Sequence, residues 1–142
     1  MRLLQRLNAV TTTRDTPRGL VITIPDSGFD NSVLRPGATD TVARLAAVLS
    51  QPGLRVSAEG YSDSATGASV SEQRAEAVKM ALVRRGVNPN LVTTRNFADA
   101  RPLTSNATPA GRISNRRVEI VISGDAIGAR PLWDRSYDVT LR

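Results

Sequence analysis

Two side chains of opposite charge, Asp63 and Arg74, stand eleven positions apart, the first in a polar loop after a strand-like segment and the second early in the helix which that loop feeds. A carboxylate binds an ammonium and a guanidinium binds a carboxylate, so such a pair facing one pocket suits a zwitterionic α-amino acid centre. The helix start would add its dipole and free N–H groups on the side of the anion. The same residues have a plainer reading, with Asp63 capping its loop and Arg74 solvated on a helix face, and spacing leaves both open. Glu59 and Asp63 can be posed as the paired carboxylates of a glycosidase, but strand alternation puts Glu59 on a sheet face, and no other acid lies near in sequence. Asn115-Arg116-Arg117 has two arginines on opposite faces of one strand, which reads as a pocket residue and an exposed one rather than as a nucleic-acid patch.

Composition narrows the chemistry further. The 142 residues contain neither cysteine nor histidine, which excludes thiolate nucleophiles, disulfides, histidine-based triads and Cys/His zinc sites. Aromatic residues are 4%, too few for a stacking platform under single-stranded nucleic acid. No cofactor is expected, and catalysis has no candidate constellation. Basic residues number 19 against 13 acidic, a net charge of +6, and Lys79 is the single lysine. That balance points to an anionic partner, and the arginine bias fits bidentate capture of carboxylate or phosphate, although biased codon usage would enrich surface arginines without any ligand. No stretch approaches the ~20 apolar residues of a membrane span.

The elements that must position these residues follow from periodicity. Leu3, Leu4, Leu7 and Val10 form an apolar helical stripe, read as a fragment of a helix that continues upstream. Gly19 to Ile24 is a buried strand stopped by Pro25, and Asp26 to Arg35 is a loop anchored by Phe29. Pro36 opens a helix with Ala38, Val42, Leu45, Ala46 and Leu49 on one face, ended by Gln51-Pro52-Gly53. Leu54 to Gly60 alternates as a second strand, Tyr61 to Ala68 is a loop, and Ser69-Val70-Ser71-Glu72 has the spacing of a capping box. The helix that follows carries Val70, Ala77, Val78, Ala81 and Leu82 on its apolar stripe and ends at Arg84-Arg85-Gly86. Leu91 to Phe97 is a third strand, Ala98 to Asn115 a long loop, and Arg116 to Ser123 a last strand with Val118, Ile120 and Ile122 inward.

Strand, helix, strand, helix, strand, loop, strand describes an α+β two-layer sandwich: a mixed four-stranded sheet with its helices on one face. Helical crossovers favour parallel neighbours. If the start of the last strand is to bring Arg116 to the end of the second, those two strands run antiparallel. Residues 1–17 read as a helix fragment and linker, 18–124 as the domain, and 125–142 as a tail in which Trp133 packs on the domain or a partner.

Three segments, Glu59-Gly60-Tyr61-Ser62-Asp63-Ser64, Ser71-Glu72-Gln73-Arg74-Ala75-Glu76-Ala77-Val78 and Asn106 to Ile120 with its Asn115-Arg116-Arg117, resemble the OmpA-like (OmpA/Pal/MotB) C-terminal domain in order and content. Phe29-Asp30 and Leu34-Arg35-Pro36-Gly37-Ala38 resemble that family's first loop and helix, so the likeness extends from about Arg18 to Ser123. It implies a βαβαββ order and non-catalytic binding of peptidoglycan, through the diaminopimelate of its stem peptide, on the periplasmic side of a Gram-negative outer membrane. By the same resemblance Asp63 meets the ligand's amino group, Arg74 its carboxylate, and Arg116 and Asn31 line the pocket. The stretch Ser64 to Val70 is shorter than is usual in the family and lacks a ligand-touching asparagine, which motivates an alternative: a fold that has lost the wall ligand and binds another anionic or protein partner. Nucleic acid is not the expected partner, and membrane attachment would come only through segments outside this sequence. The sequence does not set the oligomeric state.

Overall fold

A computed structural model describes residues 2–124, so the predicted tail 125–142 with Trp133 lies outside the described residues. Alternation of apolar residues fixes the central layer. Gly19–Pro25 (β2), Arg55–Tyr61 (β5), Val92–Ala98 (β6) and Arg117–Ser123 (β7) are the four predicted strands, with ends shifted by a residue or so. A short strand, Arg14–Thr16 (β1), adds a fifth to the sheet in what reads as a linker. It forms a hairpin with β2, turning at Pro17-Arg18.

The strand order is β1-β2-β7-β5-β6. Strand β7 runs antiparallel to both β2 and β5, whereas β5 and β6 are parallel. The expectation that helical crossovers make parallel neighbours therefore holds for β5 and β6 and fails for β2 and β5, because β7 inserts between them. Its Val118, Ile120 and Ile122 pair with Ile24, Ile22 and Leu20 on one side and with Gly60, Ala58 and Val56 on the other, so three strands present one continuous apolar face. The helices cover that face. Pro36–Leu49 (α2) contributes Val42, Leu45, Ala46 and Leu49, and Arg2–Val10 (α1) adds Leu3 and Leu7 to the same core. Each fully buried aliphatic side chain stabilises by about 1.5–3 kcal/mol relative to exposure, so this layer holds the domain together.

Helix α3, Ala68–Arg84, differs from its sequence reading at its start. It begins at Ala68 after Gly67 with no side-chain cap, so Ser69 and Glu72 do not form a capping box. Its buried face is Ser71, Arg74, Ala75, Val78 and Leu82, while Val70 stays 39% exposed. Gly60 explains the docking of that first turn. A Cβ at Gly60 would run into the main-chain carbonyl of Ser71, so only glycine lets the helix lie on the end of β5. The two predicted loops also contain structure: Phe29–Asp30 (β3) pairs with Val33–Leu34 (β4) in a small hairpin, and Pro109–Asn115 (α4) is a helix capped by the Thr108 hydroxyl, which accepts from the Gly111 N–H at 3.0 Å.

Candidate functional site

Register places the site. Pro25 of β2 and Tyr61 of β5 both pair with Arg117, the first residue of β7, so the ends of two strands and the start of the third share one edge of the sheet. The residues just past those points, Asp26, Asp63 and Arg116, therefore meet. Arg116 Nη1 donates to Asp63 Oδ2 at 2.9 Å, and its Nε lies 3.4 Å from Asp26 Oδ1. Arg74 reaches the same point from the second turn of α3 and donates from Nη1 to Asp26 Oδ1 at 2.9 Å. The four groups alternate in sign, Arg74–Asp26–Arg116–Asp63, around an open cavity of about 460 Å³.

The burial of the four differs. Arg74 is only 7% exposed, packed over the Phe29 ring at 4.7 Å with Nε donating to the Asn31 carbonyl at 2.6 Å. Of the two readings that spacing leaves open, the one with Arg74 solvated on a helix face does not hold: its position on the inner face of α3 carries the guanidinium into the cleft wall. The Arg116 side chain is 36% exposed, and those of Asp26 and Asp63 are partly covered. Asn31 lines the cavity at the tip of the β3–β4 hairpin, with a φ of 54° that asparagine tolerates better than most residues. Its carbonyl is what meets Arg74.

A second layer holds the Asp63 loop. Asn115 is fully buried; its Oδ1 accepts from the N–H of Leu103 and Thr104, and its Nδ2 donates to Asn106 Oδ1 at 2.7 Å. Asn106 Nδ2 in turn donates to the Asp63 carbonyl at 2.6 Å. The segment 99–108 is thus tied to the start of β7 and to the cleft loop together. Asp26, Asn106 and Asn115 carry this geometry and have no place in the sequence reading of the pocket. The sequence holds one signal for Asp26, which follows β2 much as Asp63 follows β5.

The other arginine of the triplet is not the exposed residue that alternation predicts. Arg117 is 3% exposed on the sheet face away from the helices, where Nε donates to Glu119 Oε2 at 2.8 Å and the guanidinium lies 3.8 Å from the Tyr61 ring centroid. Arg18, from the β1–β2 turn, crosses the sheet to Glu59 at 2.7 Å and Glu119 at 2.9 Å. The Tyr61 hydroxyl donates to Glu59 at 3.0 Å. Burial alone would push the Glu119 carboxyl up, but the hydrogen bonds and charge of Arg117 and Arg18 outweigh it and hold the group below the usual glutamate range. Burial, with the charges of Glu119 and Glu59 beside it, pushes the Tyr61 phenol up to about 12. Glu59 is committed to this network, accepting from Arg18, Tyr61 and Ser57.

Among the described residues no group of three His, Cys, Asp or Glu is placed to hold a metal ion, and no helix is long and apolar enough to cross a membrane. Known proteins share this arrangement of elements. The chain is 39% identical over 103 residues to outer membrane porin F of Pseudomonas fluorescens, covering 69% of this chain and 32% of that protein. It is 40% identical over 102 residues to the peptidoglycan-binding protein ArfA of Mycobacterium tuberculosis, covering 68% of this chain and 31% of that one. It thus spans about a third of the length of these two relatives. The solved cell wall anchor of the T6SS from Pseudomonas aeruginosa superposes with a TM-score of 0.71 at 25% identity, over 87% of this chain and 96% of that one. The family model described as the OmpA family matches residues 28–116, from the turn before Phe29 through Arg116, and by that match this chain belongs to the OmpA family.

Proposed function

We propose that this chain is a non-catalytic module that anchors a cell-envelope protein to peptidoglycan, and that its cleft takes the zwitterionic end of diaminopimelate in the stem peptide. The observation that carries this reading is the alternation of two guanidiniums and two carboxylates around one open cavity at the sheet edge. In the proposed complex Asp63 takes the ligand's ammonium and Arg74, held rigid by Phe29 and the Asn31 carbonyl, takes its carboxylate. Arg116 and Asn31 line the two sides. A buried arginine with few rotamers left loses little entropy on binding, which favours capture of a small ligand. The names of the relatives, a peptidoglycan-binding protein and a cell wall anchor among them, support the same reading. We place the binding unit, working on the periplasmic side of the outer membrane, at residues 18–124, with α1 and β1 completing its core and its sheet.

Co-sedimentation with purified peptidoglycan sacculi tests it. Sacculi with free diaminopimelate ends should pellet the protein and sacculi with amidated diaminopimelate should pellet less. Retention of the protein in the supernatant with both would overturn the reading, and salt-sensitive binding to DNA in its place would favour the alternative of a fold that has exchanged its ligand.

A further inference from the structure

The cleft holds more carboxylate than a zwitterion needs. One acid for the ammonium and one base for the carboxylate suffice, yet Asp26 Oδ1 accepts from Arg74 Nη1 at 2.9 Å and lies 3.4 Å from Arg116 Nε. Its effect is electrostatic. Without Asp26 the three guanidiniums that line the cavity, Arg35, Arg74 and Arg116, would face two carboxylates, Asp30 and Asp63, and the positive charge left over in a partly desolvated cavity draws in any anion. Asp26 removes that excess. A plain carboxylate approaching Arg74 must then compete with Asp26 and gains nothing from Asp63. A ligand that brings an ammonium beside its carboxylate satisfies Asp63 as well, and the ligand and the cavity are then both close to neutral.

We propose that Asp26 is the residue that sets the specificity of the cleft, making it selective for net-neutral amino-carboxylate ends and rejecting ligand ends that carry the carboxylate without a free amine. This rests on the reading of the cleft given above. Discrimination here comes from a repulsive element as much as an attractive one. The geometry suits that role, because the one oxygen of Asp26 that touches both arginines stands between them, where a ligand carboxylate would otherwise bridge the two.

The test uses calorimetric titration of the chain with two probes: a diaminopimelate-containing tripeptide, and the same peptide acetylated on the free diaminopimelate amine. The unmodified protein should prefer the free amine by at least about tenfold. Asp26→Asn should cut that preference about tenfold by gaining affinity for the acetylated peptide, and Asp26→Glu should retain it. Asp26→Ser gives the same readout where Asp26→Asn loses its fold. Asp40→Asn, the same charge change at an exposed position on α2, should leave the preference unchanged. An unchanged preference in the neutral variants overturns the proposal. So does an equal loss of affinity for both probes, which would make Asp26 only a positioning residue for the arginines. If the unmodified protein binds neither probe, or binds both equally, the reading of the cleft in which Asp63 takes the ammonium falls and the proposal with it; a preference for the free amine that the neutral Asp26 variants keep leaves the cleft reading standing and overturns the proposal alone.

Discussion

Arg116 and Arg117 are adjacent, and each pairs with carboxylates, yet they sit in opposite environments. The Arg116 side chain is 36% exposed at the rim of a cavity between two acids that are themselves partly solvated. The Arg117 side chain is 4% exposed and is fixed by Glu119, by the Asn115 carbonyl and by the Tyr61 ring. Strand alternation sends the two side chains to opposite faces, and what covers each face decides the rest. The comparison shows that an arginine–carboxylate pair is not by itself a sign of function. A sealed network has its hydrogen bonds satisfied from within, whereas an open one can exchange a partner for a ligand.

The largest expected effect separates the two regions by stability. Glu119→Gln removes the carboxylate shared by Arg117 and Arg18, leaving a buried guanidinium without its charge partner, and should cost about 3–5 kcal/mol in chemical denaturation. Cleft binding measured on the folded fraction should stay within about twofold of the unmodified protein. A cost under about 1 kcal/mol would mean that the network is surface-like. Acid gives the same test without mutation. Glu119 titrates lower in the folded chain than in the unfolded one, so its contribution is present above the ordinary glutamate pKa and is lost as pH falls through the depressed folded value. At the other extreme Tyr61, raised from 10.0 to about 12, should make the fold lose stability as pH rises across that interval. Glu119→Gln should flatten the acid limb of a stability–pH curve.

On the open side the loss should fall on binding. Asp63→Ala and Arg74→Ala each remove a charge-assisted hydrogen bond to the proposed ligand, a loss of roughly 1.5–3 kcal/mol or about tenfold to hundredfold in affinity. They should differ in stability. Asp63→Ala should shift the unfolding midpoint less, because the side chain of its ion-pair partner Arg116 is 36% exposed and keeps Asp26 beside it. Arg74→Ala should also destabilise by about 1–3 kcal/mol, since it strips hydrogen bonds from Asp26 and from the Asn31 carbonyl and empties the space over Phe29. Because both residues hold one small ligand, the double variant should lose less affinity than the two single losses added together. Full affinity in either single variant would assign that residue to structure alone.

How far the sequence carried follows the same division. The four long strands, α2, and the inward row Val118, Ile120 and Ile122 were legible because period-two and period-3.6 patterns report burial of one face directly. The meeting of Arg116 with Asp63 was also legible, since the parity of β7 and the end of β5 constrain it. What stayed hidden depends on polar partners far apart in sequence. Nothing near Arg117 announces Arg18, which reaches Glu119 from 101 positions away. Alternation could tell that Arg117 faces away from the helices and could not tell that this face is covered. The five-stranded sheet was missed because Arg14–Thr16 is too short and too polar to show a period. The capping box failed because Ser-x-x-Glu spacing is common, while the position of the first turn is set by the close approach of Gly60 to Ser71.

The smallest expected effect lies at the joint between the two regions. Pairing of β5 with β6 slips between Gly60 and Tyr61, and opposite the slip Ala98 has a φ of 49°, in the left-handed region that costs an L-residue roughly 1–2 kcal/mol. The Ala98 carbonyl accepts from the Ser62 N–H at 2.9 Å, so this one residue fixes the point where the chain leaves Tyr61 in the sealed network and turns toward Asp63 in the cleft. Glycine would relieve the backbone cost but would add unfolded-state entropy worth about 0.4–1 kcal/mol, so the two terms nearly offset. Ala98→Gly should therefore stabilise by about 0.5 kcal/mol, read as a small rise in Tm, with cleft affinity unchanged. A destabilised variant whose affinity falls would show that the stiffness of alanine at this joint holds Asp63 in place, and that the two regions are coupled through the bulge.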